Sequence, residues 1–160
     1  MKTQRNTTIE QVMTRDPVTC RPGDSMSCAA TLMWEHDCGC LPVVDDGGHV
    51  VGMITDRDVC MAACFQGKPL SELRVESAMA NQVITCLVGD TPQDAERLMQ
   101  QAQVRRLPVL GLDNLLVGVV SLNDLARAAG GHNGITPESI EATLAAVGQS
   151  RAHALARSPS

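Results

Sequence analysis

The sequence predicts a mixed α+β fold made of two repeats, each ordered strand-helix-strand-strand-helix, packed sheet to sheet by a pseudo-two-fold symmetry. Three observations predict this fold: an internal repeat, β-branched runs separated by turn residues, and helix-start signals at matching places in both copies. A half of roughly 60 residues with three strands is only marginally stable alone. We therefore expect the two halves to complete one core together.

The internal repeat is visible where VMTRDPVTC is echoed by AMANQVITC, so that Met79 follows Met13 by 66 positions. The same offset then continues without a gap. It matches Thr19 with Thr85, Cys20 with Cys86, Ser25 with Thr91, Leu32 with Leu98, Pro42 with Pro108, Gly52 with Gly118, Thr55 with Ser121 and Asp58 with Asp124. Chance does not keep register over so many chemically similar pairs, so the chain is a duplicated unit.

Each copy predicts the same elements in the same order. Strands are expected over residues 18–20, 41–44 and 50–55 in the first copy, and over 83–86, 107–110 and 115–120 in the second. The first helix of each copy starts at Ser25 or at Thr91, where Pro92 and Asp94 strengthen the signal. A second helix is expected to begin at Asp56 or Ser121.

These elements divide the chain into four parts. We predict a first repeat over residues 9–66, a linker over 67–74, a second repeat over 75–129 and a tail over 130–160 with a short helix. Thr136 and Pro137 open the tail helix, and Ile140, Leu144 and Val147 follow at helical spacing. Such a stripe is typical of a helix that packs on its own protein.

The composition is that of an ordered globular protein and argues against two classes of partner. Hydrophobic residues make up 44% of the chain and charged residues 19%. A net charge of -5 argues against a nucleic-acid partner, because phosphate binding needs clustered Lys and Arg. The longest uncharged apolar run, residues 115–122, is far below the roughly 20 residues of a membrane-spanning helix. We expect neither nucleic acid nor membrane as a partner.

The seven cysteines are interpreted as reduced cytoplasmic thiols that act as small hydrophobes, since the first residues contain no apolar signal stretch. An alternative is a thiol-redox or zinc-responsive scaffold. Cys60 and Cys64 would share a helix face, and Cys38 and Cys40 flank Gly39. Structural zinc ligands usually come as paired knuckles, however, so this pattern does not favour a metal site.

The sequence contains no catalytic motif. Its histidines, His36, His49, His132 and His153, are scattered, and none stands beside a Ser or Cys in a nucleophile pattern. We therefore expect a protein that is not an enzyme.

Two segments share a pattern that resembles a known family. CGCLPVVDDGGHVVGMITDRDV and VRRLPVLGLDNLLVGVVSLNDL each carry a strand with Pro, then a hydrophobic-Gly-hydrophobic strand ending in Thr or Ser, two residues and Asp. This pattern resembles the CBS domain family, twice, over about residues 9–129. The chain is similar to small stand-alone bacterial proteins made of a CBS pair, or Bateman module.

The resemblance implies a regulatory or sensor module that binds an adenosine-containing ligand in clefts between its two CBS repeats and signals through an unknown protein partner. The ligands it implies are AMP, ADP or ATP, with NAD or S-adenosylmethionine also possible, and no cofactor is required. It further implies a homodimer with four repeats in a disc. A ligand-free interaction module is left open as a further alternative.

The resemblance also implies site residues, carried over position by position. The first cleft would use Thr19, Cys20, Gly39, Cys40, Leu41, Pro42, Thr55, Arg57 and Asp58. The second would use Ile84, Thr85, Arg105, Leu107, Pro108, Ser121, Asn123 and Asp124. Of the neighbouring Arg105 and Arg106, one must point away from the other on a strand.

The chemistry of the motif fits this role. A carboxylate on the first turn of a helix, at Asp58 or Asp124, can accept both ribose hydroxyls. We expect the same helix start to offer unpaired backbone N–H groups to phosphate, with Arg57 adding a contact. The alternative is that both acids only complete capping boxes. Because Asn123 replaces Arg57 in the second copy, the two clefts should differ in charge preference.

Overall fold

The computed structural model describes residues 7–131 and 134–149. His132, His153 and the last part of the predicted tail, residues 150–160, lie outside the described residues. None of the described helices has the length and apolarity needed to cross a membrane.

The described chain alternates short strands and helices in two similar halves, which confirms the mixed α+β fold of two repeats. The helices are α1 (Met26–Glu35), α2 (Asp56–Gln66), α3 (Pro92–Ala102), α4 (Leu122–Ala128) and α5 (Pro137–Val147). The strands are β1 (Thr14–Arg15), β2 (Cys40–Val44), β3 (Val50–Thr55), β4 (Cys86–Leu87), β5 (Arg106–Leu110) and β6 (Leu116–Ser121). Short 3-10 turns lie at Ile9–Gln11, Leu70–Glu72 and Val75–Ser77.

The two sheets are built on equivalent hairpins. In the second repeat the strand order is β1-β6-β5-β4, while β2 and β3 form the hairpin of the first. The strand predicted over residues 18–20 shrinks to one parallel bridge between Cys20 and Val43. It ends there because the chain turns at once, with the Asp24 N–H donating to the Arg21 carbonyl across Pro22 and Gly23. Similarly, the strand predicted over 83–86 begins only at Cys86.

The opening segments of the two repeats are exchanged. Thr14 pairs with Val119 of the second repeat, whereas Ala80, 66 positions later, pairs with Met53 of the first. Gly118 and Gly52 make room for this exchange. A Cβ atom placed there would lie 2.5 Å from the Met13 sulfur or 2.6 Å from the Met79 sulfur. The glycine of the shared motif is therefore needed for the close approach of the exchanged segment.

The buried residues form two clusters and not the single core that was predicted. The first joins α1, α2 and the β2–β3 hairpin, with Leu73 from the linker and Val75 from the start of the second repeat. The second joins α3, α4 and the β5–β6 hairpin, with Ile9 from the start of the chain. Because each cluster is completed by a segment of the other repeat, the two halves depend on each other without merging their cores.

Helix α5 packs on the outside of the second repeat, against α3 and α4. It begins after Thr136, where the tail helix is predicted, and it contacts α3 through hydrogen bonds as well as through the hydrophobic cluster that contains Val147. Gln100 Nε2 donates to Thr143 Oγ1 at 2.7 Å, and Ser139 Oγ donates to the carboxylate of Glu96 at 2.9 Å. This helix therefore closes one side of the second repeat.

Candidate functional site

The first candidate site lies where β2 begins, β3 ends and α2 starts. Cys40 is paired with Thr55 across the hairpin, and the Asp56 N–H donates to the Gly39 carbonyl at 3.1 Å. The fold thus brings four of the predicted residues together: Gly39, Cys40, Thr55 and Asp58.

Asp58 uses only one carboxylate oxygen to cap its helix. Its Oδ2 accepts hydrogen bonds from the Thr55 N–H at 2.9 Å and the Thr55 hydroxyl at 2.8 Å. The side chain is half-buried, and no group of residues 7–131 or 134–149 donates a hydrogen bond to Oδ1. The capping role is real, but it leaves one carboxylate oxygen for a ligand.

Asp124 has the same capping box, with the Ser121 N–H at 2.8 Å and the Ser121 hydroxyl at 2.7 Å from Oδ2. Its second oxygen, however, is paired with the guanidinium of Arg127, one turn further along α4. The residue is only 8% exposed. Met61 stands where the first repeat would have this arginine, so the two equivalent acids differ in one neighbour.

The start of α2 does not offer the unpaired backbone N–H groups that were predicted. The Asp56 N–H is bound to Gly39, the Arg57 N–H donates to the Asp56 side chain at 2.7 Å, and the Asp58 N–H donates to the Thr55 hydroxyl at 3.1 Å. The prediction fails because the strand end and the acidic side chains satisfy these donors locally. A phosphate here would have to be bound by side chains.

Two arginines lie near this helix start. Arg57 is exposed, and its guanidinium has no ion pair within the described part of the chain. Arg106 reaches the first repeat from β5: its Nη2 lies 3.8 Å from a Cβ atom placed at Gly39, and Asp56 Oδ2 lies 3.2 Å from the same point. Arg106 therefore approaches the first site from the other repeat.

Arg106 and Asp56 lie beside the first candidate site and are absent from the residues that the family resemblance implies. Arg105, which the resemblance does imply, is exposed like Arg106, and its carbonyl accepts the Leu122 N–H at 2.9 Å. Strand alternation showed that only one of the arginines at 105 and 106 could face a site, but it could not show which. The 66-residue offset does not decide between them either, because it matches Arg105 with Gly39 and Arg106 with Cys40, and both of these are predicted site residues.

The remaining predicted residues are spread along the hairpins. Thr19 is half-buried beside β2. The neighbouring Cys20 pairs with Val43, which lies three residues, or about 10 Å, along β2 from Cys40. In the second repeat, Ile84 and Asn123 are exposed, Thr85 is half-buried, and Pro108, like Pro42 in the first, is buried on its strand. These two ends of each hairpin could contact opposite ends of one ligand.

Three predicted contacts need correction. The side chains of Cys20, Leu41 and Leu107 lie in the hydrophobic clusters and are 2% exposed or less. Successive residues of a strand point to opposite faces, so only the backbone atoms of these residues could face a ligand.

The four cysteines of the alternative function do not form one metal site in the described part of the chain, although Cys38 and Cys60 line the same cavity. Burial raises the pKa of the Cys40 thiol, and this effect outweighs the opposing charge of Arg106. Burial likewise raises the pKa of Cys20 and of Cys86 to about 12, so these thiols stay protonated near neutral pH. Cys60 and Cys64 are exposed. Across residues 7–131 and 134–149, no three His, Cys, Asp or Glu side chains are grouped to hold a metal ion.

An open cavity of about 460 Å³ lies beside this site, between α1 and α2. Its lining residues are Ala30, Met33, Trp34, Asp37, Cys38, Gly39, Asp56, Val59 and Cys60. Of the predicted ligand-binding residues only Gly39 takes part, so the groove lies mainly between the two helices and borders the first candidate site, with which it shares Gly39 and Asp56.

Comparison with known proteins matches the same two halves. The CBS domain family model matches residues 9–64 and 75–131. Among curated relatives, the CBS domain-containing protein YhcV of Bacillus subtilis (strain 168) is 36% identical over 118 residues, covering 74% of this chain and 82% of its own.

Solved structures show the same fold. The CBS domain pair of protein MJ0100, in complex with 5'-methylthioadenosine and S-adenosyl-L-methionine, is 26% identical with a TM-score of 0.69, covering 77% of this chain and 95% of that chain. CBSX2 in complex with AMP is 26% identical with a TM-score of 0.67, covering 77% and 96%. Hypoxic Response Protein I, with two coordinated zinc ions, is 29% identical with a TM-score of 0.69, covering 76% and 98%.

These matches follow the division that the 66-residue offset defines, and they cover both hairpins and the helices that the hairpins position. The chain therefore belongs to the CBS domain family, as a pair of CBS domains.

Proposed function

We propose that this protein is a regulatory module that binds an adenosine-containing nucleotide in its first cleft and passes the signal to a partner protein. The observation that carries the proposal is the half-buried Asp58 carboxylate, which has one oxygen bound in the helix cap and one without a partner among the described residues. A rigidly held carboxylate with a free oxygen is suited to accept hydrogen bonds from ribose hydroxyls.

The charges around the first cleft support a ligand that carries phosphate. Arg57 and Arg106 approach from the two repeats, while Asp56 supplies one opposing charge near Gly39. Arginine binds phosphate through paired N–H donors. We therefore place AMP, ADP or ATP first, with NAD and S-adenosylmethionine as further candidates; the bound ligands of MJ0100 and CBSX2 support this chemical class.

The second cleft is proposed to bind more weakly. Arg127 occupies the carboxylate oxygen of Asp124 that a ribose would need, and the residue equivalent to Arg57 is the neutral Asn123. A ligand in this cleft would have to displace Arg127 first.

The remaining parts of the proposal concern the role of the protein. We propose that it is not itself an enzyme, acts in the cytoplasm, where free thiols persist, and works as a homodimer whose contact with a partner protein changes on nucleotide binding. The cysteines of the described residues are free, which is consistent with a reducing compartment.

Isothermal titration of AMP, ATP and NAD into the reduced, metal-free protein tests the ligand part. We expect saturable binding that Asp58→Ala weakens more than tenfold. Asp94→Ala is the matched control, because Asp94 completes the same capping box on α3, with Thr91 Oγ1 at 2.7 Å, and is not among the predicted site residues. Absence of saturable binding, or equal losses in the two variants, would contradict the proposal.

A further inference from the structure

The acid Asp56 is a neighbour of both arginines that the proposed function assigns to phosphate. It is the first residue of α2, directly before Arg57 in the chain, and its carboxylate lies beside Arg106 of the second repeat. A negative charge at this place acts on any anion that the two arginines attract. Asp56 therefore has a direct influence on which ligand the first cleft prefers.

The Asp56 carboxylate is held in one orientation. Its Oδ1 accepts the Arg57 N–H at 2.7 Å, and the Asp56 N–H donates to the Gly39 carbonyl at 3.1 Å. These hydrogen bonds leave Oδ2 as the carboxylate atom nearest to Gly39. The side chain cannot turn away from an entering ligand without losing the hydrogen bond from Arg57.

The lack of a side chain at Gly39 leaves an open point between the acid and Arg106. A Cβ atom placed there would lie 3.2 Å from Asp56 Oδ2 and 3.8 Å from Arg106 Nη2. Within the described part of the chain, Asp56 and Arg106 form no ion pair with each other. A ligand atom at this point contacts both groups, so a phosphate that pairs with Arg106 here also meets the Asp56 charge.

The charges of Arg106 and of the ionic side chains at the start of α2 cancel. Arg57 and Arg106 are positive, whereas Asp56 and Asp58 are negative. AMP carries roughly two negative charges near neutral pH, and each further phosphate adds about one. Because the charges of the cleft cancel, a longer phosphate chain gains little net attraction and still loses hydration on binding. The first cleft is therefore suited to a short phosphate chain.

The second repeat shows that the fold does not need an acid at this position. The 66-residue offset matches Asp56 with Leu122, which is 6% exposed and belongs to the second hydrophobic cluster. Both helices nevertheless begin with the same capping box. The cap of α2 therefore does not depend on the Asp56 charge, which is left for a role toward the ligand.

We propose that Asp56 is a specificity-determining residue of the first cleft, which selects AMP over ADP and ATP by opposing the charge of the added phosphates. This inference rests on the proposed function, because it concerns the nucleotide that the same cleft binds. It gives the neighbouring residues opposite effects: Arg57 and Arg106 attract phosphate, whereas Asp56 limits the number of phosphates that the cleft accepts.

Calorimetric titration of the reduced full chain with adenosine, AMP, ADP and ATP, in a buffer without divalent cations, tests this selectivity. In the wild type we expect AMP to bind at least about fivefold more tightly than ATP, with ADP between them. Asp56→Asn keeps the size of the side chain and an oxygen for the Arg57 N–H, and it removes the charge. It should reduce the AMP-to-ATP affinity ratio at least about threefold and leave adenosine binding unchanged.

Asp37→Asn is the matched control, because it makes the same change in the neighbouring groove. Asp37 lines that groove, and its left-handed backbone, at φ 49°, is one that Asn also adopts readily. We expect the wild-type affinity ratio in this variant. Equal affinities of the wild type for AMP and ATP, an unchanged ratio in Asp56→Asn, or the same shift in both variants would overturn this inference alone. Failure of all four ligands to bind would overturn the proposed function as well.

Discussion

The helix starts of the two repeats carry the same capping box in two different environments. At α2, the chain reads Thr-Asp-Arg-Asp from Thr55 to Asp58; at α4, it reads Ser-Leu-Asn-Asp from Ser121 to Asp124. The first acid keeps an oxygen without a partner in the described structure, and the second is paired with Arg127. The comparison teaches that duplication preserves the cap, which the fold needs, while neighbouring residues decide whether the same carboxylate can also serve a ligand.

The largest expected effect comes from removing each acid in turn. We expect Asp58→Ala to weaken nucleotide binding more than tenfold, because a charge-assisted acceptor contributes roughly 1.5–3 kcal/mol. Asp124→Ala should leave the tighter binding event in place. Calorimetric titration of both variants compares them directly, and loss of the same event in both would mean that the two clefts are not independent sites.

Arg57 should decide how strongly the first cleft prefers phosphate. We expect Arg57→Ala to weaken ATP binding about fivefold and adenosine binding much less, since an exposed charge contributes up to about 1 kcal/mol. In Asp124→Ala, binding at the remaining first cleft should fall more steeply with added salt than binding at the second cleft in Asp58→Ala. Equal losses for ATP and adenosine would leave Arg57 with a structural role only.

An exchange of the neighbouring residue sharpens the comparison further. Arg127→Met should raise the affinity of the second cleft for adenosine about two- to fivefold, because the 74% exposed arginine no longer competes for the Asp124 carboxylate. Met61→Arg, the reciprocal change, should lower the affinity of the first cleft by a similar factor. Titration with uncharged adenosine isolates this competition from phosphate attraction, and unchanged affinity in both variants would show that Arg127 does not close the second site.

The smallest effect concerns acid stability of the first helices. Hydrogen bonds from the Thr91 hydroxyl and N–H, with the nearby Arg97, hold the pKa of Asp94 below its ordinary value. A lowered folded-state pKa stabilises the protein above the unfolded value of about 3.9, and that contribution is lost as pH falls through the folded pKa. The cap of α1 uses Ser25 and has Cys28 in place of the acid.

Urea unfolding of the wild type and Asp94→Asn near neutral pH and at about pH 3 measures this difference. We expect the wild type to have the larger free energy of unfolding near neutral pH, and the difference between the two proteins to become smaller in acid. Protection of amide hydrogens should fall in α3 before α1 under the same conditions. A difference in the free energy of unfolding that is constant with pH would exclude a contribution from the Asp94 charge.

Local signals in the sequence were sufficient for the elements and their order. Ser25, Thr55, Thr91 and Ser121 cap their helices as predicted, because an N-cap satisfies backbone donors within three residues and needs no distant partner. The hairpins follow from β-branched runs and turn residues for the same reason. The repeat offset then predicted which residues of the two halves are equivalent, and so brought Thr55 with Asp58 and Ser121 with Asp124 to the centre of the candidate sites.

The site was predicted only where its residues are close in sequence. Gly39 and Cys40 meet Thr55 and Asp58 through one hairpin. The approach of Arg106 crosses between repeats, and the pairing of Asp124 with Arg127 depends on side-chain conformations. The N–H groups that were expected to be unpaired at α2 donate instead to the Gly39 carbonyl and the Asp56 side chain. The residue pattern alone did not reveal these hydrogen bonds.

The sequence by itself determined the duplication and the helix caps, since each depends on residue type and short spacing. Only the tertiary structure decided that Met13 and Met79 exchange between repeats, that the buried residues form two clusters, and that α5 covers one helical face and leaves Trp34 exposed on the other. These features depend on which surfaces meet after the elements form. Glu96 and Gln100 hydrogen-bond to α5 on the second repeat, and the first repeat has Ala30 and Trp34 at the equivalent positions.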